Sequence, residues 1–128
     1  MVAAMRGILL VAIAISGGVG CGDDGGTKTP DAAPIPSNID VVTCAGGEQG
    51  PITTVNLTFA YMGTPLTITA GQTVKFMMGT SHNVVPDVGN DPGLTVDFGE
   101  TKCLKFKLAG DYNFHCAPHA FKGKVTVQ

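Results

Sequence analysis

The sequence predicts an all-β chain, a sandwich or barrel built from short strands. Three observations carry this prediction. Runs of alternating apolar and polar residues recur from Thr53 to the end of the chain. Glycine, proline, asparagine and aspartate punctuate nearly every junction, with 18 Gly and 8 Pro among 128 residues. No segment holds a helical period for more than two turns, and no internal repeat is present.

Taken in order, the first element is not part of the fold. "MVAAMRGILLVAIAISGGVGC" has a single positive charge at Arg6, an apolar run from Gly7 to Ile15, then small residues up to Cys21. The run is too short for a membrane-spanning helix, which needs about 20 apolar residues, and has the layout of a secretory signal over 1–20. A retained membrane anchor is the competing reading. Gly18-Val19-Gly20-Cys21 resembles a bacterial lipobox, in which the cysteine is acylated and becomes the new N-terminus, although Gly18 stands where such motifs usually carry Leu. The stretch 21–38 offers almost nothing to bury, so it reads as a flexible tether on a lipid anchor, with a soluble periplasmic form as the alternative. Gly22 rather than Asp follows the cysteine, which by the same resemblance permits export to the outer membrane.

The folded domain is expected over 39–128. "TTVNLTFAYM" alternates, with Val55, Leu57 and Phe59 on one face. "LTITAGQTVKFMM" contains two runs separated by Ala70-Gly71-Gln72. "HNVVPD", "LTVDFGE", "CLKFKLAG", "DYNFHC" and "KVTVQ" continue the pattern. About 90 residues support one two-sheet core with little to spare. Of the four cysteines, Cys44 and Cys103 lie near strands and are candidates for a disulfide in an exported chain; two buried free thiols remain the alternative.

The chemistry concentrates near the C-terminus. Alternation in "DYNFHC" turns Tyr112, Phe114 and Cys116 inward and leaves Asn113 and His115 outside. His119 follows in a Pro-containing turn. His82 comes after strand 73–78 and a short turn. If strands 73–78 and 111–116 end at one pole, His82, Cys116 and His119 converge there. Two imidazoles and one thiolate in a trigonal set are the geometry of a blue-copper electron-transfer site. Zinc also accepts these donors, but the order of divalent affinities favours copper.

At these residues the chain resembles a known family. "GQTVKFMMGTSHNVVPD" and "AGDYNFHCAPHAFKGKVTVQ" are similar to the two copper-binding segments of the cupredoxins, the plastocyanin and amicyanin type in particular, over roughly 53–128. The resemblance implies a Greek-key two-sheet β-sandwich, one type 1 copper ion, and the shuttling of single electrons. It implies His82, Cys116 and His119 as the equatorial ligands and Asn83 as the residue tying the two ligand loops together. It also implies an apolar docking ring around an exposed His119, here Ala117, Pro118, Ala120 and Phe121 with Pro86 beside them. One feature departs from the family. Its weak axial Met, three or five residues after the turn histidine, is replaced by Lys122 or Lys124, and aligning "GKVTV" leaves a one-residue deletion. Three outcomes stay open: a three-coordinate copper with Phe121 or a backbone oxygen nearby, a thioether from Met62, Met77 or Met78, or a site without redox-competent copper.

The expected function is a monomeric, tethered electron carrier for a redox partner protein in the cell envelope. Its competitors are a copper-handling protein without fast electron transfer and a structural sandwich with a vestigial site. A net charge of -2 offers nothing to nucleic acid. Three histidines are too few for a multicopper oxidase, and Cys116 and His119 lack the orienting residue of a catalytic thiol, so no enzymatic activity is expected.

Overall fold

The computed structural model describes residues 33–128. Cys21 and the expected signal and tether, up to residue 32, lie outside the described residues.

Eight strands form two four-stranded sheets, with no helix among the described residues. They are β1 (Ile39–Val42), β2 (Gln49–Thr53), β3 (Leu66–Ile68), β4 (Thr73–Met77), β5 (Val85–Pro86), β6 (Thr101–Phe106), β7 (Gly110–His115) and β8 (Lys122–Val127). One sheet has the order β1-β6-β4-β2 and the other β3-β8-β7-β5. Neighbours run antiparallel except β2 with β4 and β3 with β8. The crossing connections that this order requires make the all-β, Greek-key sandwich expected from the sequence.

Period-two alternation builds the core. Val74 and Phe76 of β4 and Leu104 and Phe106 of β6 are buried in the first sheet, and Tyr112 and Phe114 of β7 and Val125 and Val127 of β8 in the second. Cys44 and Cys103 are joined by a disulfide across 59 residues of sequence. In a chain-entropy view, closing a loop of that length stabilises the fold by about 4 kcal/mol. At the N-terminal side, Asp91 accepts hydrogen bonds from Ser37 Oγ (2.5 Å) and Asn38 N (2.6 Å), which ties the chain to the domain just before β1.

Two expected strands are corrected. Of "TTVNLTFAYM" only Thr53 belongs to a strand, and Val55, Leu57 and Phe59 are 54, 91 and 65% exposed rather than packed inside. The physical reason is the lack of a neighbour. β2 is an edge strand whose ladder with β4 ends at Thr53↔Met77, where β4 itself stops. "LTVDFGE" makes no strand either; Val96 forms a single bridge to Val84.

Candidate metal centre

Two connections deliver the site residues to one pole. After β4, a turn in which His82 N donates to Gly79 O (3.1 Å) carries the chain to His82 and Asn83, both buried. After β7, the segment from Cys116 to Phe121 turns back into β8. Cys116 N donates to Phe121 O (3.0 Å), and His119 N and Ala120 N donate to Cys116 O (3.3 and 2.8 Å). Ala120 takes φ 57, a conformation that L-residues seldom adopt, to make this bend.

The bend brings three donor atoms together. Cys116 Sγ lies 3.6 Å from Nδ1 of His82 and 3.6 Å from Nδ1 of His119, and the two Nδ1 atoms are 3.2 Å apart. The centre of that triangle is about 2.0 Å from each corner, within the range of about 2.0–2.3 Å for imidazole and thiolate bonds to a d-block ion. The tautomer of His82 agrees. Its Nε2 lies 3.2 Å from the Val55 carbonyl, which can only accept, so Nε2 carries the proton and Nδ1 turns a lone pair toward the centre. A lone pair of His82, the His119 Nδ1 and a sulfur at one point can be bridged by a cation, and the mix of two imidazoles with one soft sulfur suits copper.

Burial is uneven across the trio. Cys116 and His82 are fully buried, whereas His119 is exposed. Asn83 bridges the two connections: its Oδ1 accepts from Ala117 N (2.9 Å). Sequence reasoning missed Tyr61, the residue behind Asn83. Its hydroxyl donates to Asn83 O (2.6 Å), and its ring packs edge-on against Phe114 and Phe121. Burial, with a further contribution from the nearby Cys116, pushes the Tyr61 phenol far above its ordinary value, so it stays a donor. Phe59, expected on one face of a strand with Val55 and Leu57, instead lies edge-on to His119 with centroids 4.7 Å apart. No sequence signal marked Val55 as the acceptor for His82, because a backbone carbonyl has no residue type.

The lysines at the expected axial positions face solvent. Lys122 Nζ lies 3.3 Å from Asp87 Oδ2 and Lys124 Nζ 2.9 Å from Asp111 Oδ2. Asp87 also accepts from Nδ1 of the half-buried His115 at 2.6 Å, and this bond, with the one from Lys122, holds its carboxyl below the usual range. Ala117, Pro118 and Ala120 are exposed around His119, and Phe121 and Pro86 are half-buried.

Comparison with known proteins agrees with this geometry. A family model described as copper binding proteins of the plastocyanin/azurin family matches residues 50–128. The chloroplastic plastocyanin of Chlamydomonas reinhardtii is 31% identical over 113 residues, covering 76% of this chain and 73% of that protein. Plastocyanin of Scenedesmus fuscus is 31% identical over 105 residues, covering 70% of this chain and 100% of the other. Among solved structures, amicyanin from Paracoccus versutus aligns with a TM-score of 0.57 at 25% identity, over 73% of this chain and 100% of that one.

Proposed function

Because the chain belongs to the plastocyanin/azurin family of copper-binding proteins and its donor set fits one type 1 copper ion, we propose that it carries single electrons between redox partner proteins, with His82, Cys116 and His119 as the copper ligands. The bound ion supplies the chemistry by alternating between Cu(II) and Cu(I). The residues supply a fixed cage and one way out of it. The observation that carries the reading is the asymmetry of the trio: two sealed donors and one imidazole at the surface.

Each donor is held from behind. His82 is fixed by the Val55 carbonyl, Cys116 by its backbone bond to Phe121, and the two connections by Asn83. A cage that does not relax between oxidation states keeps reorganisation small. The surface at His119 is apolar where Ala117, Pro118 and Ala120 are exposed and Phe59 leans on the imidazole, with the Lys122–Asp87 ion pair beside Ala120. Such a patch suits close, dry contact with a partner of similar character.

The proposal extends to the address. The protein acts as a monomer in a bacterial cell envelope, its domain exported and joined through an acylated Cys21 and a tether to a membrane, the outer more readily than the inner. The composition of 1–38 supports this, as does the Cys44–Cys103 bridge, which suits an oxidising compartment. Replacing Cys21 with Ala is expected to release the protein from the membrane fraction.

Voltammetry of the copper-loaded chain tests the carrier role. A fast, reversible one-electron wave is expected. Transfer of copper to an acceptor apoprotein, with no such wave, would point to copper handling and overturn the reading.

A further inference from the structure

The register of β7 against β8 decides what the chain beyond His119 can offer a metal. The ladder begins at once, with His115 opposite Lys122, Phe114 opposite Gly123 and Asn113 opposite Lys124. Residues directly opposite share a face of the sheet. His115 and Lys122 are therefore on the outer face, where Asp87 bonds both, and the Lys122 side chain is 72% exposed. Lys124 returns to that outer face and pairs with Asp111. Only Gly123 faces inward. A Cβ there would run into the Phe114 ring and come within 3.0 Å of Tyr61 Cδ2. So the two outward positions cannot turn in, and the inward one has no space for a side chain.

That leaves Phe121 as the last side chain before the ladder that meets the site. It is half-buried, its ring 5.2 Å from that of His82, 4.6 Å from that of Tyr61 and parallel to that of His119 at 6.3 Å. It offers hydrocarbon and no donor atom. Among the described residues, Met78 Sδ accepts from Thr54 Oγ1 at 3.9 Å, and Met62 and Met77 are 54% and 39% exposed.

We propose that this chain gives its metal three side-chain donors and no fourth, with the Phe121 ring closing the face from which a further side-chain donor would otherwise come. This rests on the reading of His82, Cys116 and His119 as copper ligands. Loss of a weak axial donor disfavours Cu(II) more than Cu(I), so the potential should lie high for a site of this type.

X-ray absorption on the copper-loaded full chain tests the proposal. Two nitrogens and one sulfur are expected, with no second sulfur at any longer distance. A Met inserted between Phe121 and Lys122 should add that second sulfur and lower the preference for Cu(I) about tenfold, equivalent to about 59 mV for one electron. Lys122→Met should differ from its charge control Lys122→Gln by less than about twofold, because the ladder faces position 122 outward. Phe121→Ala should let added azide perturb the copper spectrum, whereas the parent protein stays inert. A second sulfur or a third nitrogen in the parent protein, or a Lys122→Met shift as large as that of the insertion, overturns the proposal while leaving copper binding intact. A chain that takes up no copper overturns this proposal and the functional reading together. Should the insertion variant not fold, the donor count of the parent protein and the Lys122 pair still decide.

Discussion

Two segments frame the metal centre by opposite means. Cys116–Phe121 closes on itself through three backbone hydrogen bonds and is clamped between β7 and β8. Residues 54–61 form no ladder and are held by what they lean on. The Val55 carbonyl accepts from His82, Asn56 Oδ1 accepts from Ser81 N, Phe59 rests on His119, and Tyr61 reaches Asn83. The first segment contributes donor atoms, and the second contributes acceptors and rings that hold those donors. A rigid site therefore depends on a segment with no regular structure, and the attachment points of that segment should matter far more than its exposed residues.

Substitutions can break or sharpen that contrast. The largest effect is expected at Tyr61, where the segment is buried. Tyr61→Ala should cost about 3–5 kcal/mol in chemical denaturation, as for other large-to-small aromatic truncations. A loss below about 1 kcal/mol would mean that the segment is anchored elsewhere. Next comes the clamped side. Gly123→Ala should cost about 1–3 kcal/mol because the added methyl meets the Phe114 ring; a neutral outcome would show slack in the ladder and weaken the case against an inward side chain there. Tyr61→Phe removes only the bond to the Asn83 carbonyl and should cost about 1 kcal/mol, with a measurable change in the copper spectrum. The smallest effect belongs to Leu57, at 91% exposure. Leu57→Ser should change stability by less than about 0.5 kcal/mol in chemical denaturation; a loss above about 1 kcal/mol would show that the segment is held by its exposed residues too.

The same contrast explains which parts of the molecule are legible in the sequence. "DYNFHC" alternates and does form β7, because β8 and β5 flank it on either side. "TTVNLTFAYM" alternates equally well, but no strand lies beyond the end of the β2 ladder to receive it. Period two reports that one face is apolar; it does not report whether the apolar face meets a core or solvent. β1 and most of β2 pass unread for another reason, since their apolar runs are short and "CAGGE" interrupts them. Cys116 and His119 are legible because one short turn after a strand holds both. His82 requires the further expectation that two strands end at one pole, and the 3.6 Å between Cys116 Sγ and His82 Nδ1 meets it. What stays invisible is the layer behind the donors: the Val55 carbonyl, the Tyr61 hydroxyl, and a glycine whose role is to leave no room.

The most direct test of the central claim is an optical titration of the metal-free protein with Cu(II). An intense thiolate-to-copper band should grow, saturate at about one equivalent and be absent from Cys116→Ser. Copper bound without that band, or a band that survives the loss of the Cys116 sulfur, would contradict the assignment of His82, Cys116 and His119 to a single ion.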